Sequence, residues 1–405
     1  MSSCKLDHSP EEALALIRQE IKPLGHELVP LRKARGRCLA EDLYAVQSLP
    51  PFSRVCMDGI TVAFNANSLG PWRHSGQHFA GQRASRLVDP ESAIEVSTGA
   101  VIPEGSDTVI CYEQLSRVDN FWHLAEGIIV SPKRNVQEVG SELANGELIF
   151  KRGDSLRSPD LSLMASQGWT DVLVRRRPRI ALISNGSELV RIDQAIESHQ
   201  IRDSNREGLA CLFADHGYDI VFEAHVADDE TELTQAIHGA LENADVLVLS
   251  AGVSRGLRDY VPQVLESLDV KTLIRTIRQK PGKPFYFGKV QGSKCVFGLP
   301  GNPVAALMNA AVYVLPALFA LEQRFWKYNY LSAPQDLGSD AVARLLAVRS
   351  GEGDNLSELS IGLSSGHLAG LRGTSGLVLV PAEQRVAKGD QLVFSPWSPL
   401  AGDLL

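Results

Sequence analysis

RIALISNGSEL at residues 179–189 and DVLVLSAGVSRGLRDY at 245–260 follow one plan: a short apolar run, then a loop of small and polar residues. KCVFGLPGNPV at 294–304 repeats it. The pattern predicts strands over Arg179–Ser184, Asp219–His225, Asp245–Ser250 and Lys294–Gly298. Helical periodicity lies between them, near Arg206–His216, Glu230–Asn243 and Val261–Leu268. Strands that alternate with helices imply a mostly parallel, doubly wound sheet covered on both faces. In such sheets ligands bind beyond the carboxyl ends of the strands.

The loops at those ends are Ser184–Glu188, Ser250–Asp259 and Gly298–Pro303. Small residues let a ligand approach backbone N–H groups, and a following helix N-terminus favours negative charge. Phosphate or a similar anion is the ligand that fits. No loop reads GxxxxGK[ST] or GxGxxG, which disfavours a P-loop kinase and a dinucleotide fold. Lys280-Pro281-Gly282-Lys283-Pro284 adds two cations on a stiff turn, either a solvated surface turn or a holder for a fixed anion. Asp58, Glu188, Asp228, Asp229 and Asp259 form an acid set. Acids beside an anion suggest Mg²⁺, which takes one or two carboxylates plus substrate oxygens. Asp228 or Asp229, and Asp259, could equally cap the helices that follow them.

Outward from this segment the character changes. Ser9, Pro10 and Glu12 spell a capped helix start, and Ala13, Leu14, Leu16, Ile17 and Ile21 give it an apolar stripe. Residues 47–150 break into short β-like runs: GITVAF, AIEVSTG, DTVICYEQL, FWHLA, GIIVS and GELIF. Arg175, Arg176, Arg177, Pro178 and Arg179 mark a junction that reads as a charged hinge. After Tyr330 short apolar alternation returns, as in a small β-domain. Val304–Leu321 is long and apolar, but Asn309 and Pro316 favour a buried core helix over a membrane span.

The 405 residues carry 40 Lys+Arg against 48 Asp+Glu, a net charge of −8, which argues against a general nucleic-acid or acidic-membrane binder. Hydrophobic residues at 44% exclude disorder as the main state. Six scattered cysteines form no CxxC, so neither a zinc site nor a disulfide framework is expected. Such cysteines, and an N-terminus without a signal peptide's apolar core, point to a cytoplasmic protein.

These residues resemble the molybdopterin molybdenumtransferase family, the MoeA and gephyrin E-domain family. The matching segments are PPF and MDG within 50–59, STGAVIPEGSDTVI at 97–110, SNGSEL at 184–189 and IRDSNR at 201–206. SAGVSRGLRDY at 250–260, KPGKP at 280–284 and GLPGNPV at 298–304 complete the set. The resemblance implies Mg²⁺-dependent insertion of molybdate into adenylyl-molybdopterin, with release of AMP. It implies a homodimer of elongated four-domain subunits, its active cleft built from both chains. The domains would be 1–46 with 142–176 (N-terminal helix and base), 47–141 (inserted β-rich), 177–326 (α/β, molybdopterin-binding) and 327–405 (C-terminal β). Other cofactor-biosynthesis proteins and apo-molybdoenzymes are implied partners.

By the same resemblance Asp58, Thr98, Glu142, Glu188, Asp228 and Asp259 would be catalytic, with Glu188, Asp228 and Asp259 holding the metal. Asp203, Ser250, Gly252, Ser254, Lys280, Lys283, Pro300, Asn302, Pro303, Arg344, Arg349 and Ser365 would bind substrate. The chain departs from the family pattern at Val55, Ile60, Gln137, Glu138, Val139, Glu142, Ala305, Ala347 and Gly366. Ala305 and Gly366 each replace a hydroxyl that could contact molybdate, so a weakened paralogue acting as a cofactor-binding scaffold is the alternative.

Overall fold

A computed structural model describes residues 6–65, 69–252, 260–290, 292, 294–324, 326, 329–349, 358–360 and 364–399. The chain divides into two compact units. The first holds Met1–Ala40, Gly153–Leu161 and Thr170–Leu405; the second holds Glu41–Arg152 and Ser162–Trp169.

The first unit contains a seven-stranded sheet. Its order is Asp7–His8, Lys271–Ile277, Pro284–Lys289, Cys295–Leu299, Val246–Ser250, Ile180–Asn185 and Ile220–Val226. The last four of these run parallel, and Pro284–Lys289 is antiparallel to both its neighbours. The apolar runs of the inner parallel strands are continuous because both faces are covered. Ile180 and Leu182 pack on one side with Leu209, Phe213 and Leu318, whereas Ala181 and Ile183 pack on the other with Leu233, Ile237 and Val261. Each such large side chain contributes roughly 1.5–3 kcal/mol by leaving water. The helices that supply these contacts are Ser204–Asp215 and the Pro303–Leu321 segment on the first face, with Glu230–Asn243 and Val261–Ser267 on the second.

Pro303–Leu321, long and apolar enough to cross a membrane, is largely buried in this core. Its turns widen to π-helix over Ala310–Val314, where the Leu315 N–H reaches the Ala310 carbonyl. Pro316 lies just beyond. It has no N–H to donate, and its ring crowds the carbonyl four residues earlier, so a regular α-turn is disfavoured there.

The expected N-terminal helix is Pro10–Glu20, with Ser9 Oγ accepting from the Glu12 N–H at 3.2 Å and Glu12 accepting from the Ser9 N–H at 2.8 Å. Its position differs from the division at residue 46. Asp7–His8 pairs with Thr276–Ile277, and Ala13 and Ile17 join the α/β core, so this segment packs with the α/β sheet.

A second sheet of this unit links Gln279–Lys280, Ala343–Arg349, Gly376–Val380, Gln391–Pro396 and Asn329–Ser332, with Glu358–Ser360 also paired to Ala343–Arg349. Gln279 and Lys280 run parallel to Ala343 and Arg344.

The arginine run is no solvated hinge. Arg176 grips the Asp245 carboxylate with two bonds of 2.8 Å, and Arg177 donates to the Gly36 carbonyl at 2.8 Å. Burial pushes the Asp245 carboxyl up, but Arg176 and the Arg179 N–H outweigh it and hold it below its ordinary value. Glu322, fully buried, faces Arg177 at 3.4 Å, Arg324 at 3.5 Å and Arg37 at 3.9 Å, and accepts from the Tyr218 hydroxyl at 3.1 Å. Burial, then the charge of Glu322, pushes the Tyr218 hydroxyl well above its ordinary range.

The second unit is built on a six-stranded sheet ordered Thr108–Cys111, Gly59–Val62, Ser92–Val96, Trp72–His78, Phe121–Leu124 and Leu115–Val118. Ile60, Trp72, Ala93 and Ile110 pack on one face, and Val55, Ile94, Val96 and Val109 on the other. GIIVS at 127–131 forms no strand; Val130 packs inward while Ile129 is exposed. GELIF yields only Leu148–Phe150, paired with Leu43–Tyr44.

Candidate active site

The carboxyl ends of the parallel strands open onto a cavity of about 730 Å³. Of the expected site residues, Glu188, Asp203, Ser250, Lys280, Lys283, Pro300, Asn302, Pro303 and Ser365 line it. The sheet brings Glu188, Ser250, Pro300 and Asn302 together because each lies at or just past the carboxyl end of its own parallel strand. Lys280 lies in the second sheet of the same unit, and Ser365 in a loop between two of its strands.

The loops approach closely because their residues are small. A Cβ on Gly301 would lie 3.3 Å from that of Ala251. Ala251 itself sits at φ +77°, a left-handed conformation that non-glycine residues adopt at a cost of about 1–3 kcal/mol. Gly252 follows at φ +72°, where a Cβ would strike Val261 at 2.6 Å. The Asn302 amide donates to Ser365 Oγ at 2.9 Å, and the Ser365 carbonyl accepts the Val304 N–H at 3.1 Å, which ties the Ser365 loop to the start of the Pro303–Leu321 helix.

Lys280 and Lys283 supply the positive charge. Both are exposed to the cavity, and among the described residues neither ammonium is paired with a carboxylate. On the acidic side, Asp203 is 2% exposed and caps Ser204–Asp215 through the Arg206 N–H at 3.1 Å. Its second oxygen has no hydrogen bond but lies 3.7 Å from the Arg206 guanidinium. The two adjacent acids divide their work. Asp229 caps Glu230–Asn243 through the Glu232 N–H at 2.8 Å, whereas Asp228 accepts from the Asn185 amide at 2.8 Å and stays on the strand-end loop.

Some expected residues lie elsewhere. Ser254 and Asp259 are outside the described residues. Arg344 neighbours Lys280 across the strand pair but donates to the Gly338 carbonyl. Arg349 is exposed at the end of its strand and donates to the Arg372 carbonyl at 3.1 Å; neither arginine lines the cavity. Asp58, Thr98 and Glu142 belong to the second unit. There Asp58 accepts from the Thr98 N–H at 2.7 Å and its hydroxyl at 2.9 Å, and Glu142 meets Arg54 at 3.2 Å and the Gln137 amide at 2.5 Å.

The two Thr98 bonds, backbone first, hold the Asp58 carboxyl below its ordinary value. Both stabilise the charged form, so losing one raises the pKa. Thr98→Val is therefore expected to move the Asp58 titration up towards the usual carboxylate range, read by carbon NMR against pH. An unmoved titration would show that the hydroxyl does not hold this carboxylate.

The sequence reading missed Asn205 and Gln279. Asn205 bonds to Ser250 Oγ at 2.9 Å and the Gly301 carbonyl at 2.8 Å, joining two of the loops. Its place two residues after Asp203 at the start of a helix was the available signal.

Among the described residues no three His, Cys, Asp or Glu side chains form a metal cage. Glu188 nevertheless offers hard oxygen donors to the cavity, with Asp228 on the neighbouring loop. That donor set fits Mg²⁺ held chiefly by phosphate oxygens and water, with one or two protein carboxylates.

A mixed sheet with a cavity lined by two lysines at its carboxyl edge, joined to β-rich parts, has the architecture of a multidomain α/β enzyme. Residues 8–168 match the MoeA N-terminal region (domain I and II), and 181–320 match the "Probable molybdopterin binding domain". A Haemophilus influenzae molybdopterin molybdenumtransferase is 31% identical over 391 residues, covering 94% of this chain and 96% of that protein. The Synechocystis enzyme of the same name is 36% identical over 307 residues, 75% of this chain and 78% of its own. A crystal structure of a molybdopterin biosynthesis MoeA protein from Pyrococcus horikosii superposes with a TM-score of 0.79 at 29% identity, covering 97% of this chain and 99% of that one. The chain belongs to the molybdopterin molybdenumtransferase family, and it is a transferase of molybdenum cofactor biosynthesis.

Proposed function

We propose that the chain inserts molybdate into adenylyl-molybdopterin in a Mg²⁺-dependent reaction that releases AMP. The observation that supports this most is the convergence of Lys280, Lys283 and the Asn302 loop with Glu188 on one cavity. The lysines stabilise charge that gathers on phosphoryl oxygens as the phosphoanhydride breaks, in a partly desolvated site where such stabilisation is strong. Molybdate, a tetrahedral dianion and the second substrate, needs cationic donors of the same kind. Glu188 and Asp228, with Asp259, would hold Mg²⁺, which when bound neutralises phosphate charge. Lys280, Lys283, Asp203, Ser250 and Asn302 orient the substrate.

The proposal includes a cytoplasmic homodimer that completes the cleft with the β-rich domain of the partner subunit, where Asp58, Thr98 and Glu142 would act. It also retains Arg344 and Arg349 as oxyanion contacts, the four-domain division with residues 7–20 moved to the α/β domain, and apo-molybdoenzymes as recipients.

The test gives purified protein adenylyl-molybdopterin, molybdate and Mg²⁺. The expected result is AMP release together with cofactor that activates an apo-molybdoenzyme. Binding of adenylyl-molybdopterin without AMP release at any molybdate concentration would favour the scaffold alternative and end the claim of catalysis.

A further inference from the structure

The turn that carries both lysines rests on a buried polar cluster, of which Gln279 also lines the cavity. Gln279 is 3% exposed and Asn309 and Tyr313 are fully buried. The Gln279 amide donates to Asn309 Oδ1 at 2.6 Å and reaches the Pro281 and Gly282 carbonyls at 3.2 and 3.4 Å. The Asn309 amide donates to the Gly282 carbonyl at 3.1 Å, and the Tyr313 hydroxyl donates to Gln279 Oε1. Gly282 sits so close to Asn309 that a Cβ would lie 2.5 Å from Asn309 Oδ1. The Gln279 amide is thus shared: its oxygen meets Tyr313 and its nitrogen meets both Asn309 and the carbonyls between the two lysines.

Placement matters as much as bonding. Asn309 closes the first α-turns of the Pro303–Leu321 helix, and Tyr313 lies in its π-helical stretch. That helix begins at the Asn302-Pro303 loop, which lines the same cavity as Lys280 and Lys283. The cluster therefore joins the helix that starts at the Asn302 loop to the turn that carries the cations.

We propose that Gln279, Asn309 and Tyr313 are positioning residues that fix Lys280 and Lys283 relative to the Asn302 loop, and so set the affinity of the cavity for phosphoryl anions. This rests on the anion-binding reading of the cavity. A buried polar cluster that is fully satisfied rigidifies what it holds, and an apolar isostere would remove the bonds while keeping the volume.

Gln279→Met in the full chain tests the idea with two measurements. Hydrogen exchange of the peptide spanning 277–287 needs no ligand, and is expected to speed up while exchange in the rest of the sheet stays unchanged. Affinity for inorganic pyrophosphate, by calorimetry, is expected to fall about tenfold, the size of one or two neutral hydrogen bonds. In a Lys280→Ala, Lys283→Ala background the same substitution should change affinity less than about twofold, because residues that act through one another are not additive.

Unchanged exchange overturns the proposal. So does faster exchange with unchanged pyrophosphate affinity, and so does an equal loss in the lysine-free background, which would mark a generic packing role. If the lysine substitutions alone leave pyrophosphate binding intact, the anion reading of the cavity fails, while the exchange result still decides whether the cluster orders the turn. Should Gln279→Met fail to fold, Tyr313→Phe removes a single hydroxyl. It is expected to show the same two effects at smaller size, and their absence overturns the proposal.

Discussion

Lys283→Ala is expected to slow AMP release from adenylyl-molybdopterin by about 100-fold or more, the usual loss when one preorganised electrostatic group is removed from a reacting phosphoryl or acyl centre. Lys280→Ala should act in the same direction, and the pair together should lose less than the product of the two, since both serve one anion. Stability is expected to stay within roughly ±0.5 kcal/mol, because both lysines are exposed and, among the described residues, neither ammonium makes a salt bridge. Chemistry and fold therefore separate in one experiment: single-turnover AMP release against a urea unfolding curve. A loss under about threefold with intact folding would remove Lys283 from the charge-stabilising role.

The largest loss of stability is expected at Glu322, far from any ligand contact. Glu322→Ala strips the buried anion from Arg37, Arg177 and Arg324 and the acceptor from Tyr218. Leaving buried charge unpaired costs about 3–5 kcal/mol. That is a large share of the roughly 5–15 kcal/mol that keeps a typical domain folded. Glu322→Gln keeps the shape and an acceptor for Tyr218, so its cost should be smaller. Arg179→Ala is a control, because that side chain is half-exposed at 3.6 Å from Asp245 and exposed pairs contribute about 0–1 kcal/mol. Urea unfolding of the three variants checks the ranking; a loss at Glu322→Ala below about 1 kcal/mol would show that the guanidiniums find other partners or water.

How much of this was legible in the sequence depends on whether the deciding partners are near in the chain. The four parallel strands were readable to within a residue at each end: three, such as Val246–Ser250, are buried throughout and leave an unbroken apolar run, and the edge strand Ile220–Val226 is only half-buried. Lys271–Ile277 was not singled out, since Lys271, Thr272, Arg275 and Thr276 interrupt its apolar residues. Asp7–His8 is too short to carry any pattern. The arginines at 175–179 read as a hinge because their partners, Asp245 and Glu322, lie about 70 and 145 residues away, beyond what local spacing can report.

The site shows the same division. Strand-end loops announce themselves by composition, so Ser250, Lys280, Lys283 and Asn302 could be found. Gln279, between Arg278 and Lys280, reads as one more solvated polar residue, and only the packed helix beneath it shows otherwise.

The pairing of Gln279–Lys280 with Ala343–Arg344 bears on how such a chain can be rearranged over evolutionary time. Modules joined only by a flexible tether can be exchanged by recombination at the tether. Here the rung beside the first cavity lysine is supplied from beyond residue 327, so a crossover at that border would pair Lys280 with a strand selected against a different partner. The α/β part and the C-terminal β part should therefore be inherited as a matched pair, and chimaeras between relatives should retain function best when both come from the same parent.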